Sequence, residues 1–197
     1  MEKTRIETLS VAPQDFLVTA CLLSLASNVS AAQNLALAHA QLKKLGKLQV
    51  SHDLLSESAA KNQSILTQDA CFITDYHNQM AYLALAKPMI YLDLVALTKN
   101  IEQQASRQAF AKPLVALDVD IIAIKPQLAR CSGQDEHHME FLPLNDGWLG
   151  IARRLPLASY DWACYTSLMV EQQGQWLPLL TARHAPVFCV ESDLLGQ

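Results

Sequence analysis

The sequence predicts an α+β fold of the ferredoxin-like type, in which two helices cover one face of an antiparallel sheet. Two apolar runs with strand character, at residues 16–26 and 114–124, bound this region. Between them lie two stretches with helical spacing of apolar residues and two further strand-like segments. The resulting order βαββαβ is the split βαβ pattern, which places the first and last strands side by side in the sheet.

The first strand and the first helix have the clearest signals. Residues 16–26 form a continuous apolar run that contains Val18 and Thr19, which is typical of a buried strand. Ser30 is the candidate N-cap of the helix, and Gly46 is expected to end it. Four apolar residues of this helix recur at helical spacing: Leu35, Ala38, Leu42 and Leu45.

The other elements of the core follow in order. Residues 47–57 and 77–86 predict the second and third strands. Pro88 is expected to open the second helix, because proline is favoured at the first helical position. Residues 114–124 then predict the fourth strand.

We divide the chain into three parts. Residues 1–15 are an extended arm, residues 16–125 are the ferredoxin-like core, and residues 126–197 are a C-terminal extension packed on the same domain. The extension is expected to contain three short strands and one helix, at residues 139–144, 148–155, 176–180 and 158–170 respectively.

Composition excludes several classes of protein. The 197 residues are 51% hydrophobic and 17% charged with a net charge of −4, which predicts a folded, soluble, cytoplasmic protein and no nucleic-acid binding. The apolar run at residues 16–26 is far shorter than the ~20 residues of a membrane span, so we expect no membrane insertion. Five widely spaced cysteines without a CxxC motif indicate free thiols rather than disulfides or a zinc site.

The most concentrated chemical feature is the pair Asp118 and Asp120 on the fourth strand. Side chains alternate along a strand, so both carboxylates point to the same face, with Cα atoms roughly 6.6 Å apart. Two carboxylates on a core strand repel each other, and a divalent cation would relieve that repulsion. Hard oxygen ligands suit magnesium. The alternative is a solvated strand face on which the aspartates meet Lys or Arg.

Several segments together resemble one enzyme family. The strongest matches are Leu117-Asp118-Val119-Asp120-Ile121 and the strand that ends at Ser27-Asn28 before a helix. With looser matches elsewhere, the chain resembles the 6-hydroxymethyl-7,8-dihydropterin pyrophosphokinase family of folate biosynthesis. The resemblance covers about residues 18–125 and rests on five segments, residues 23–30, 45–57, 76–78, 101–107 and 117–122.

This resemblance implies a magnesium-dependent transfer of diphosphate from the co-substrate ATP to a pterin hydroxymethyl group. Asp118 and Asp120 would be the catalytic metal ligands, holding the magnesium ions that bridge the phosphates and the pterin oxygen. Glu102 and Arg107 match residues that contact the nucleotide. A solvated helix end is the alternative explanation for these two side chains.

The resemblance also implies a site for the pterin. Asn78 matches an asparagine that recognises the heterocycle, and its amide offers donors as well as an acceptor. A hydrogen bond from Asn78 to the backbone at the strand start is the alternative. Ser27 and Asn28 match the family's strand-to-helix turn and belong to the expected substrate site.

The departures from the family pattern concern mainly positive charge. Ala26 replaces a family glycine, and residues 112–116 lack the family's arginine. The loop before them lacks a further arginine and a tryptophan, and Ser159 stands where the family has histidine. Four arginines of the extension are candidates to restore the charge around the triphosphate: Arg130, Arg153, Arg154 and Arg183.

Three hypotheses about function therefore stay open. The first is the pyrophosphokinase reaction on a pterin-like small molecule. The second is a non-catalytic or impaired homologue that binds a nucleotide, a pterin or a protein partner. The third is a ferredoxin-like binding module unrelated to pterins, which leaves the aspartate pair unexplained. The apolar residues 89–95 indicate either deep burial or the subunit contact of a homodimer.

Overall fold

The structure is a computed structural model. It describes residues 8–11, 16–56, 75–105, 114–128, 139–171, 180 and 184–186. The strands are β1 (Leu9–Val11), β2 (Phe16–Ser27), β3 (Gly46–Val50), β4 (Leu54–Ser56), β5 (Tyr76–Ile90), β6 (Asp118–Leu128), β7 (Met139–Pro143) and β8 (Leu149–Ile151). The helices are α1 (Ala31–Lys43), α2 (Tyr91–Ala105) and α3 (Ser159–Glu171).

The strands of the described residues form one antiparallel sheet. Its order is β1-β7-β8-β6-β2-β5-β3, and β4 pairs with β5 beyond the end of β3. The four strands β6-β2-β5-β3 have the ferredoxin-like arrangement, with the first and last strands of the core adjacent. The predicted α+β class, with a ferredoxin-like core and a C-terminal extension, is confirmed.

Helices cover both faces of this sheet. The first face carries α1 and α2, as predicted, and its buried helical residues include Leu35, Ala38, Leu42, Leu94 and Ile101. The second face carries α3 and the segment before it, with Trp148, Leu157, Cys164, Tyr165 and Leu168 buried. Residues of β2 contribute to both clusters. Burial on two faces explains why the sequence of β2 is a continuous apolar run.

The second helix begins later than predicted. Pro88 lies inside β5, and α2 starts at Tyr91. The pairing of β5 with β2 is interrupted between the partners Ala84–Ala20 and Met89–Val18. Pro88 falls in this irregular stretch, where no ladder hydrogen bond is required from its missing N–H.

The first helix and the second strand also differ in detail. Ser30 is the N-cap residue of α1, but its backbone is left-handed (φ 46°) and its side chain makes no capping hydrogen bond. The predicted second strand is split into β3 and β4. At the break, the Met80 N–H donates to Ser51 Oγ at 2.9 Å, while the Ser51 N–H donates to the Met80 carbonyl at 2.8 Å. The Ser51 hydroxyl thus takes the place of a backbone carbonyl as the acceptor for the Met80 N–H.

The extension contains the elements that its sequence predicts within the described residues. These are β7, β8 and α3, whereas the strand predicted at residues 176–180 lies almost entirely outside them. The N-terminal arm contributes β1, which pairs with β7 through Leu9 and Phe141.

Other predictions concern cysteines, membranes and oligomers. Cys21 and Cys164 are buried and free, and the other three cysteines lie outside the described residues. Among the described helices, none has the length and apolar character to cross a membrane. In the apolar residues 89–95, Ile90 and Leu92 are 42% and 45% exposed, and a homodimer contact there stays a prediction.

The close contact between β3 and β5 predicts a strict need for glycine at residue 46. A Cβ atom at Gly46 would lie 2.0 Å from the Ala84 carbonyl oxygen and 2.8 Å from the Ala86 nitrogen. Because these are backbone atoms, we expect Gly46→Ala to lower the free energy of unfolding in urea by about 1–3 kcal/mol. The control Lys47→Ala, at an exposed neighbour, should change it by less than about 0.5 kcal/mol. Equal losses in both variants would contradict this account.

Candidate active site

The aspartate pair lies at the start of β6, on the sheet face that α3 covers. Val119 and Ile121 belong to the core under α1 and α2, so the alternating Asp118 and Asp120 point to the opposite face. The register agrees, because Asp120 pairs with Ser24 on β2, whose hydroxyl donates to a side chain of α3. The prediction that both carboxylates share one face is confirmed.

Three residues predicted to bind ligands hold the backbone beside this pair. Asn28 Oδ1 accepts from the Val115 N–H at 2.6 Å, and the Asn28 N–H donates to the Val115 carbonyl at 3.0 Å. The Ser27 hydroxyl donates to the Ala116 carbonyl at 2.5 Å, and Glu102 Oε1 accepts from the Val119 N–H at 3.0 Å. These bonds fix the position of β6. Ligand roles for Ser27, Asn28 and Glu102 stay predictions.

Asp120 carries an unfavourable negative charge. Burial raises the pKa of its carboxyl above the usual 3.8, and the nearby charge of Asp118 raises it further. Arg154, which donates from Nη2 to Asp120 Oδ1, and Lys99 oppose this shift without reversing it. The ion pair therefore compensates only part of the repulsion and desolvation.

A third carboxylate, Asp161, lies in the first turn of α3. It accepts a 2.6 Å hydrogen bond from the Ser24 hydroxyl. Burial raises the pKa of Asp161, as does Asp118 to a smaller extent, while the Ser24 bond and Arg154 act in the other direction. No group of three His, Cys, Asp or Glu side chains within the described part of the chain is arranged to hold one ion. A cation at the pair would therefore complete its shell with water or ligand oxygens, as magnesium usually does.

Asp118 lines one of two cavities at this site. The cavity has a volume of about 370 Å³, within the range of small-molecule sites. Its lining is aromatic and polar, and comprises Ala26, Ser56, Tyr76, Asn78, Val115, Asp118 and Tyr160. It lies between the start of β6, the start of β5 and the N-terminus of α3.

Asn78 is buried in this lining, and its amide nitrogen is already bonded. Nδ2 donates to Ser56 Oγ at 2.8 Å and to the carbonyls of Leu54 and Tyr76 at 3.1 Å each. Hydrogen bonds from Asn78 to the backbone, which were the alternative to a role in ligand binding, are therefore observed. A ligand in the cavity would meet the amide oxygen, which is an acceptor.

Asp120 lines the second cavity, which lies between α2, β6 and the turn after β8. Its volume is about 360 Å³. Three cationic residues line it, namely Lys99 from α2 and Arg153 and Arg154 from the extension. The remaining lining is Tyr91, Val95, Thr98, Val119, Asp120, Ile121 and Ile151. The cavity thus combines apolar walls with positive charge.

The extension does restore positive charge at the aspartate pair. Arg154 contacts Asp120, and Arg153 lines the adjacent cavity. Arg130 and Arg183, the other two arginines of the extension expected to do so, lie outside the described residues, as does Arg107, which was predicted to contact the nucleotide.

Sequence reasoning missed several residues of this site. Tyr76 is two residues before Asn78 on β5, so strand alternation indicates the shared face. Lys99 is three residues before Glu102 on α2 and bonds to it at 2.7 Å, a spacing that also indicates contact. Asp161 has no such local signal, because its partner Ser24 is 137 residues away.

Comparisons with known proteins leave the family open. No protein-family model matches the chain, and no curated protein matches it. The geometry of the site and the resemblance in the sequence are therefore the basis for inferring a function.

The raised pKa of Asp120 predicts that neutralising this residue stabilises the protein. The pKa of this carboxyl is higher in the folded protein than in the unfolded chain. Its contribution to the free energy of unfolding is therefore complete below about pH 3.8 and is lost as the pH rises through the pKa of the folded protein. At pH 7 we therefore expect Asp120→Asn to raise the free energy of unfolding by about 0.5–1 kcal/mol, a small value because Arg154 and Lys99 already offset part of the repulsion and desolvation.

This difference should shrink as the pH falls from 7 towards 4 in urea titrations. The control is Asp146→Asn at an exposed residue with a left-handed backbone, a conformation that asparagine tolerates. It should leave the free energy of unfolding at pH 7 unchanged within about 0.5 kcal/mol. A destabilised Asp120→Asn variant at pH 7 would show that the Arg154 ion pair outweighs burial and repulsion.

Proposed function

We propose that this protein is a cytoplasmic enzyme of the pyrophosphokinase type, which transfers diphosphate from ATP to the hydroxymethyl group of a pterin-like heterocycle with magnesium. One observation carries the proposal. Two carboxylates on the same face of β6 line two different cavities, and each cavity has the chemistry of one substrate. A reaction between two bound molecules at a metal pair requires such an arrangement.

The cavity at Asp118 suits the heterocycle. Tyr76 and Tyr160 offer aromatic surfaces to a flat ring. The acceptor oxygen of Asn78 suits a ring N–H or amino group. Ser56 Oγ accepts a hydrogen bond from the Asn78 amide nitrogen and thereby keeps that side chain oriented. A ring held here would present its hydroxymethyl group towards Asp118.

The cavity at Asp120 suits the nucleotide. Val95, Ile121 and Ile151 offer apolar walls to a base, and Lys99 and Arg154 offer charge to phosphates. These two cations come from α2 and the extension, and they would replace arginines that the family pattern has in the preceding loop. The ATP phosphates would then lie next to Asp120.

In the reaction, one bond to the β-phosphorus of ATP forms and another bond to the same phosphorus breaks. The substrate hydroxyl oxygen attacks this phosphorus, the bond to the oxygen that bridges to the α-phosphorus breaks, and AMP leaves. The hydroxyl proton is released to solvent. Asp118 and Asp120 would hold magnesium, which neutralises phosphate charge. The side chains contribute mainly alignment of the two substrates and positive charge, and no covalent enzyme intermediate is needed.

The proposal is tested by calorimetric titration with a non-hydrolysable ATP analogue. We expect binding that requires magnesium and tightens when 6-hydroxymethylpterin is present. Asp118→Asn should weaken binding at least tenfold, about 1.4 kcal/mol, because one metal ligand is lost. Asp146→Asn is the matched control and should bind like the unmodified protein.

The opposite result identifies the alternative function. If neither ligand binds, the pyrophosphokinase reaction is excluded, and a non-catalytic homologue or an unrelated binding module with a protein partner becomes the next candidate. Binding of the nucleotide analogue without magnesium, or equally well to Asp118→Asn, would contradict a metal site at the pair.

A further inference from the structure

Arg154 is bound to Asp120, one of the two carboxylates that would hold the metal ion. Its Nη2 donates to Oδ1 of Asp120, and it stands at the end of the short 3-10 turn Ala152–Arg154. The Asp120 side chain is only 16% exposed, whereas that of Arg154 is 39% exposed. The acceptor is thus fixed in the sheet, and the donor is a long side chain that reaches it from the surface.

A guanidinium and a divalent cation compete for this carboxylate. Both are attracted by the same negative charge, and they repel each other at a few ångströms. Magnesium also requires a near-octahedral shell of oxygens, which a guanidinium nitrogen on the same carboxylate oxygen obstructs. A cation entering alone would therefore have to displace Arg154 without offering it another partner.

We propose that Arg154 is an exchangeable counter-ion, which neutralises Asp120 in the ligand-free protein and moves to the polyphosphate when a metal–nucleotide complex binds. The inference rests on the proposed function and adds the order in which its ligands bind. The metal ion and the nucleotide would bind together, because only the nucleotide supplies Arg154 with a new anion.

The structure provides a short path for this exchange. Arg154 lines the cavity assigned to the nucleotide, together with Lys99 and Arg153. Its guanidinium can therefore reach a phosphate in that cavity by rotation of its own side chain. Arginine suits both partners, because its planar fork binds carboxylates and phosphates in the same bidentate manner. Lys99 is less suited to the exchange, since Glu102 already holds it with bonds of 2.7 and 2.9 Å.

The exchange makes metal and nucleotide binding cooperative. If Arg154 leaves Asp120 when the nucleotide binds, the nucleotide raises the metal affinity, and the metal raises the nucleotide affinity by the same factor. Removing Arg154 should therefore have opposite effects on the two ligands. A side chain that only supports the fold would weaken both.

The experiment is a titration with Mn²⁺, followed by electron paramagnetic resonance, with and without a non-hydrolysable ATP analogue. We expect Arg154→Gln to bind Mn²⁺ alone about tenfold more tightly than the unmodified protein. It should bind the nucleotide analogue more weakly, and the coupling between the two ligands should fall about tenfold. Arg154→Lys keeps the charge without the fork, and should keep Mn²⁺ binding weak while lowering the coupling.

Lys87→Gln is the control. It removes one positive charge from an exposed residue of β5 that lines neither of the two cavities. Its Mn²⁺ affinity without nucleotide should change by less than about threefold, because an exposed charge outside the site is screened. Thermal melting of each variant shows whether it is folded.

Two failures can be told apart. If the unmodified protein binds Mn²⁺ and the nucleotide analogue, but Arg154→Gln and Arg154→Lys do not change their coupling, the exchange is overturned and the proposed function stands. If the unmodified protein binds neither ligand, the proposed function itself fails, and the exchange fails with it.

Discussion

Repulsion between two carboxylates on one face of β6 is the constraint on which the site depends. The register with β2 places Asp118 opposite Ala26 and Asp120 opposite Ser24, so neither side chain can move to the other face without breaking the sheet. Burial and mutual repulsion raise the pKa of Asp120, and Arg154 compensates only in part. A site whose negative charge is fixed in place and only partly compensated is suited to a cation.

The C-terminal extension completes this site as well as the fold. Its strands β7 and β8 lengthen the sheet beyond β6, and α3 covers the face to which the aspartates point. The same segment contributes Arg154, Tyr160 and Asp161 around the pair. The site is therefore complete only when the extension is packed on the core, because the core alone would present two aspartates without Arg154.

Local patterns in the sequence were sufficient to predict much of the fold and the common face of the aspartate pair. Strand alternation placed Asp118 and Asp120 on one face, and helical spacing identified the buried face of α1. The prediction that Pro88 opens the second helix was wrong. The preference of proline for helix starts is outweighed by the irregular pairing of β5 with β2, which a local sequence pattern does not reveal. The contacts of Arg154 with Asp120 and of Ser24 with Asp161 span 34 and 137 residues. Such contacts depend on the complete sheet order, which no local pattern specifies.

The turn at Ser27 and Asn28 shows how a motif can serve the site indirectly. These side chains bond to the main chain at Val115 and Ala116, immediately before the aspartate pair. Through these bonds the end of β2 sets the position of the start of β6. Ser27 and Asn28, which the sequence predicts to contact the substrate, thus help to position the two carboxylates.

The most direct test of the central claim is anomalous scattering from crystals grown with Mn²⁺ and a non-hydrolysable ATP analogue. The account predicts a manganese peak within about 2–2.3 Å of oxygens from both Asp118 and Asp120, with phosphate oxygens completing the shell. A map with no anomalous peak at the pair, and with Arg154 still bound to Asp120 beside an ordered nucleotide, would contradict it.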